Sequence, residues 1–199
     1  MLALAMALTL ASQTPAPASP CAYDKAAMLA LPPDRFDQDK DGGWRSLANK
    51  QHCYKAAADL LATYRRANWS KLGPNELHIN YFHEGQMRAF AGDYPSAIKM
   101  MLAGENPEPD IGGTFAEYII GSVAFLNHDH AALTAARARL AKAPPPAEWV
   151  KMAADYKTKY GQAPSWPPNL DVLDNLLACF DKPYAKAYDR DCKAEPVGK

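Results

Sequence analysis

The stretch Gly85-Gln86-Met87-Arg88-Ala89-Phe90-Ala91-Gly92-Asp93-Tyr94-Pro95-Ser96-Ala97-Ile98 decides the fold. It reads as the end of one helix, a tight turn at Gly92-Asp93, and a second helix whose first turn carries Ala97. The pattern returns 36 residues later, where Gly121 and Leu133 stand as Gly85 and Ala97 do. A period of this size marks stacked helical hairpins.

Outward from that stretch the chain continues in helical segments. Strand-like alternation bounded by turn signals is absent, so the class is all-α. A first short helix spans Tyr23 to Leu31 and stops at Pro32-Pro33. Trp44 to Gln51 and Cys53 to Arg66 form a candidate hairpin. Gly73-Pro74 opens the next helix, with proline at the first helical position, where its missing N–H is harmless. That helix runs to Ala91 and turns into Tyr94 to Ala103. Thr114-Phe115-Ala116-Glu117 reads as a capping box for a further helix, and Asn127-His128-Asp129 turns the chain into His130 to Ala143. After Pro144-Pro145-Pro146, Glu148 to Tyr160 is an amphipathic helix. Gln162 to Pro168 is a proline-rich loop carrying Trp166, and a last helical pair follows from Asn169.

A small signature recurs at the start of the second helices: Tyr54-x-x-Ala57, Tyr94-x-x-Ala97 and Tyr184-x-x-Ala187, with His130-x-x-Leu133 in the corresponding place. Small residues there let helices approach closely. On Gly85, Gly92, Asp93, Tyr94 and Ala97, and in part on Gly121, Asp129 and Leu133, the chain resembles a tetratricopeptide repeat. The resemblance implies three or four degenerate units in a short right-handed array. An extra helix and the proline-rich loop precede the last unit. Glu84 and Arg88 stand where the family has large apolar or aromatic residues. The resemblance also implies a concave groove, lined by the first helices, that takes a protein or peptide partner. Carried over by residue, its positions are Ile79, Phe82, Gln86, Ala89 and Phe90, then Phe115, Tyr118, Ser122 and Phe125. The competing reading is that the C-terminal helices and the Trp166 loop fill this groove.

The 199 residues suit one domain, read here as 19–199 behind a leader of residues 1–18. Leu2 to Leu10 is an apolar run, too short to span a bilayer but suited to the core of a secretory signal, although no Lys or Arg precedes it. Ala16-Pro17-Ala18 places cleavage before Ser19, with a cut near Ser12 as the alternative. Proline before Cys21 argues against lipoprotein processing there. The expected location is therefore periplasmic or secreted. The four cysteines fit an oxidising compartment. Pairing local in sequence, Cys21 with Cys53 and Cys179 with Cys192, would fasten both termini. Acidic and basic residues balance at 22 each without a basic stripe, which disfavours nucleic acid. Arg65-Arg66 with Lys71 reads as a solvated helix end.

Candidate chemistry is sparse. Asp37, Asp39 and Asp41 before Gly42 resemble an EF-hand calcium loop, but Ala48 stands where the closing bidentate acid belongs. The expectation is a solvated acidic turn capping the Trp44 helix. His83-Glu84 begins a zinc-protease pattern that Met87 breaks, so Glu84 is expected to pair with Arg88 on the surface. His78 with His83, and His128 with His130, lack the spacing of a helical ligand pair. Asn68-Trp69-Ser70 is a short glycosylation sequon. No metal or cofactor is implied. The functional expectation is a non-catalytic exported module that binds a protein or peptide. The alternatives are an immunity or inhibitor protein against a toxin or wall-degrading enzyme, and a hydrolase or metal-dependent enzyme. The enzyme reading requires His83, Glu84 and Arg88 to face inward onto a pocket.

Overall fold

The structure is a computed structural model that describes residues 20–104, 113–189 and 191–192. The proposed leader, residues 1–18, lies outside them. The described residues form helices and turns with no sheet. Two apolar cores lie on either side of one long helix, Pro74–Phe90.

The N-terminal layer consists of α1 (Lys25–Leu29), α2 (Pro33–Asp37) and α3 (Gly43–Arg45), which continues into a π-helical turn, Ser46–Lys50. These pack around α4 (Tyr54–Ala67). Pro32-Pro33 is thus a restart as well as a stop, because Pro33 occupies the first turn of α2. Phe36 stacks on Tyr64, whose hydroxyl donates to the Leu31 carbonyl at 2.7 Å. Gly43 is required by its backbone: φ is +49°, and an added Cβ would lie 1.9 Å from the Phe36 carbonyl oxygen. The Cys21–Cys53 disulfide ties the start of this layer to the residue before α4.

Two helix pairs follow. Helix α5 (Pro74–Phe90) turns through Gly92, at φ +82°, into α6 (Tyr94–Ala103), and Asp93 caps α6 by accepting from the Ser96 N–H. Helix α7 (Thr114–Leu126) turns through His128 into α8 (His130–Leu140), which Asp129 caps by accepting from the Ala132 N–H. Each helix packs mainly on its hairpin mate, α4 packs on α5, and α6 touches α7. The capping box expected at Thr114 is replaced by a different arrangement. Gly113 in a left-handed conformation is the N-cap, and Glu117 reaches across to Arg139 of α8 at 2.7 Å.

The small-residue signature marks real contacts. Ala57, Ala97, Leu133 and Ala187 are all fully buried. A Cβ on Gly85 would stand 2.6 Å from Met101 Cγ and 3.0 Å from the Ala97 carbonyl oxygen, so α5 and α6 meet backbone to backbone there. Gly121 differs: its nearest neighbours are side-chain atoms of Leu173, in a C-terminal helix. Its small size therefore serves the C-terminal closure more directly than the α7–α8 contact.

The chain ends with α9 (Ala147–Tyr160), α10 (Leu170–Ala178) and α11 (Tyr184–Tyr188). Helix α10 lies against α7 and α8, and α11 touches α5. The Tyr94 hydroxyl accepts the first N–H of α11, from Tyr184, at 2.9 Å. Cys179–Cys192 closes this end, so both sequence-local pairings are present.

Gly85→Ala is expected to destabilise the fold by about 1–3 kcal/mol, because backbone atoms of α6 cannot step aside as a flexible side chain could. Gly92→Ala meets open space and strains only its left-handed φ, at a cost of about 1 kcal/mol. Urea unfolding of both variants checks the order.

Candidate functional site

Six of the nine expected groove positions, Phe82, Gln86, Ala89, Tyr118, Ser122 and Phe125, are buried. Ile79, Phe90 and Phe115 are half-buried. The cover comes from the chain itself. Phe125 meets Phe180 and Tyr184 at 5.9 Å each, and Phe90 meets Tyr184 and Tyr188 at 5.3 and 5.1 Å. Gln86 donates to the Tyr118 hydroxyl at 3.1 Å. Burial, then the neighbouring Tyr184 and Tyr188, push the Tyr118 phenol well above its ordinary pKa. The concave face is therefore largely filled, which overturns the picture of an open aromatic groove.

One end remains open. His78 and Ile79 of α5 and Thr114 and Phe115 of α7 line an apolar cavity of about 220 Å³ with Trp149, Trp166 and Pro168. Trp166 is pinned there, its Nε1–H donating to the Ala143 carbonyl at 2.7 Å and its ring 4.9 Å from Trp149. The sequence pointed to Ile79, Phe115 and the Trp166 loop, but not to Trp149. Trp149 was legible as part of an amphipathic helix, whereas its meeting with α5 and α7 is a tertiary fact.

The polar residues between the N-terminal layer and α5 are buried, contrary to the surface roles expected for them. Glu84 is nearly inaccessible. Its Oε2 accepts from Arg65 at 2.5 Å and its Oε1 from Arg88 at 2.8 and 2.5 Å. Arg65 also donates to Asn80 Oδ1 at 2.8 Å, and its guanidinium lies 3.7 Å from the Tyr81 ring centre. Arg65 is thus a structural cation rather than a solvated helix end; its neighbour Arg66 is the exposed one. Beside this network, His83 Nδ1 lies 2.8 Å from Asp37 Oδ1, and Nε2 is 3.5 Å from Arg45. Trp44 Nε1 donates to the same Asp37 oxygen at 2.8 Å.

Asp37 is therefore not part of a solvated turn. Burial works to raise its pKa, but the hydrogen bond and charge of His83, the Trp44 bond and Arg45 together hold it below the ordinary 3.8. The other aspartates of the loop turn elsewhere: Asp39 pairs with Arg35 at 2.9 Å and Asp41 with Lys50 at 3.6 Å. Asp39, Asp41 and Arg35 rim a second cavity of about 380 Å³ whose floor includes Met28 and Leu31. Among the described residues, no three His, Cys, Asp or Glu side chains gather as metal ligands would.

The remaining motifs take structural places. His128 and His130 both pack on the Phe180 ring, at 4.5 and 4.9 Å, and His78 packs on Phe115. The Asn68 amide nitrogen, which a glycan would need, is buried and donates to the Leu29 carbonyl at 3.1 Å. No helix of the described residues is long and apolar enough to cross a membrane.

Glu84→Gln is expected to cost about 3–5 kcal/mol, since it leaves the buried Arg65 guanidinium without its counter-charge, whereas half-buried Arg88 still lies within 4 Å of Asp59 and Asp93. Because the folded-state pKa of Asp37 is depressed, its contribution is complete above pH about 4 and is lost as pH falls through the lower folded value. Asp37→Asn should therefore lower stability at pH 7 and flatten the loss as pH falls below about 4, measured by denaturant unfolding across the acid range. No protein-family model matches the chain, and no curated protein or solved structure matches it either.

Proposed function

We propose that this chain is a non-catalytic, exported module of tetratricopeptide-like hairpins that binds a protein or peptide partner. The observation that carries the reading is the apolar cavity at the open end of the hairpin stack, where Ile79 and Phe115 remain accessible between Trp149 and Trp166. A cavity walled by aromatic and branched side chains suits an apolar side chain presented by a partner. The nested pair α5–α6, with its contact through Gly85 and Ala97, supports the repeat-like part.

Catalysis finds little support in the polar groups. His83, Glu84 and Arg88 do face inward, as the enzyme reading required, but they converge on one another. Both carboxylate oxygens of Glu84 are taken by guanidinium groups, and both ring nitrogens of His83 lie against charged neighbours. The two disulfides support a site of action in an oxidising compartment.

The test is affinity capture from the native envelope with wild type and Ile79→Asp. Ile79 is half-buried at the cavity wall, so the variant should keep its thermal transition while losing the captured partner by about tenfold or more. Capture unchanged by Ile79→Asp in a folded variant would overturn the cavity as the binding site. Turnover of an envelope substrate that His83→Gln abolishes without loss of folding would overturn the non-catalytic reading.

A further inference from the structure

Helix α9 is 14 residues long and buries none of them. Only Trp149 and Ala153 are half-covered, while Val150, Met152, Tyr156 and Tyr160 are exposed at 55, 42, 43 and 56%. Trp149, Met152, Ala153, Tyr156 and Tyr160 follow the spacing i, i+3, i+4, i+7 and i+11, so they form one apolar stripe. The body meets the stripe where Trp149 packs on Trp166. A helix this short is marginal in water on its own and gains most of its stability by packing an apolar face. Met152, Tyr156 and Tyr160 thus present an uncovered apolar face.

Charge identifies what fits. Lys157 and Lys159 fall on opposite borders of the stripe, and no acid follows Asp155 in the helix. The segment Tyr156-Lys157-Thr158-Lys159-Tyr160 combines two lysines with two amphipathic rings. Lysines can extend their apolar stems along such a face and place their ammonium groups at phosphate level. Tyrosine and tryptophan favour the polar–apolar boundary of a bilayer. At 1.5 Å per residue the helix is about 21 Å long, short of the ~30 Å hydrocarbon core, so it can lie on a membrane and not span it.

We propose that α9 is an interfacial helix that lays Met152, Tyr156 and Tyr160 into the headgroup region of an anionic lipid surface, with Lys157 and Lys159 meeting the phosphates. This attachment goes beyond the partner-binding role and uses a different part of the molecule from Ile79. The chain as a whole has a formal net charge of +0, and α9 carries Glu148 and Asp155 against Lys151, Lys157 and Lys159, so attraction is confined to the last turn with its two lysines and is sensitive to salt.

Co-sedimentation of the full chain with vesicles tests the proposal. Vesicles of equal parts phosphatidylglycerol and phosphatidylcholine should bind the protein, and pure phosphatidylcholine vesicles should bind it much less. Two double variants, Met152→Glu with Tyr156→Glu and Lys157→Glu with Lys159→Glu, should each weaken binding to the anionic vesicles by about tenfold or more. Both alter exposed side chains, so an unchanged thermal transition shows that the body is intact. Wild-type binding no stronger to anionic than to neutral vesicles would overturn the proposal. Equal binding by wild type and both variants would do the same. So would variants that bind vesicles normally but lose a protein partner, since α9 would then be a protein-docking helix.

Discussion

A buried carboxylate on the central helix governs how this molecule is assembled. Glu84 lies in a turn of α5 that is covered on all sides, and an ionised group there needs matched counter-charge to be tolerated. Arg65 supplies it from α4 and Arg88 from the next turn of α5, while Asn80 occupies the other end of the Arg65 guanidinium. A slide of α4 along α5 by one turn would strand these charges, so the network fixes the register of the two helices. The adjacent residue, Gly85, faces the opposite neighbour and lets α6 approach to backbone contact. One turn of α5 thus joins the N-terminal layer to the hairpins: a polar lock on one side, a close steric fit on the other.

The sequence shows this architecture unevenly, for physical reasons. Turns and caps are local, so Gly92-Asp93 and Asp129 could be read directly, and the even cysteine count with sequence-local spacing led to the observed pairs. Burial of polar residues is not local. Glu84 and Arg88 at i,i+4 look the same on an exposed face as in a buried network, and Arg65 is invisible until α4 and α5 are placed together. Asp37 misleads in the same way: its spacing to Asp39 and Asp41 suggests a calcium loop, whereas its carboxylate is spent on His83 and Trp44. The groove fails for a third reason. A resemblance carries over positions on the first helices but does not say what the last helices cover, and here Phe180, Tyr184 and Tyr188 occupy the concave side.

That self-filling changes where function can reside. A short array has few neighbours with which to bury its apolar faces, and this chain buries them against its own C-terminal helices. The Tyr94 hydroxyl, accepting the first N–H of α11, and Gly121, admitting Leu173, are the devices that seat them. The proline-rich loop then holds Trp166 against the mouth of the stack, so the cavity that remains is bounded by three separate parts of the chain. Its shape depends on that loop as much as on the hairpins. A partner entering it would meet Trp149, the first anchored residue of α9.

The same arrangement leaves the buried polar centre engaged with its own neighbours. A histidine that moves a proton to or from a substrate needs one ring nitrogen directed at that substrate, with the other held by an orienting group. His83 has the orienting carboxylate of Asp37, but its second nitrogen lies against the Arg45 guanidinium and its ring against Trp44. Opening that site would require Arg45 to leave, and Arg45 is itself held by a 2.8 Å bond to the Asp37 carbonyl. The His83–Asp37 pair, with Trp44 and Arg45 on it, is a clasp between α2, α3 and α5.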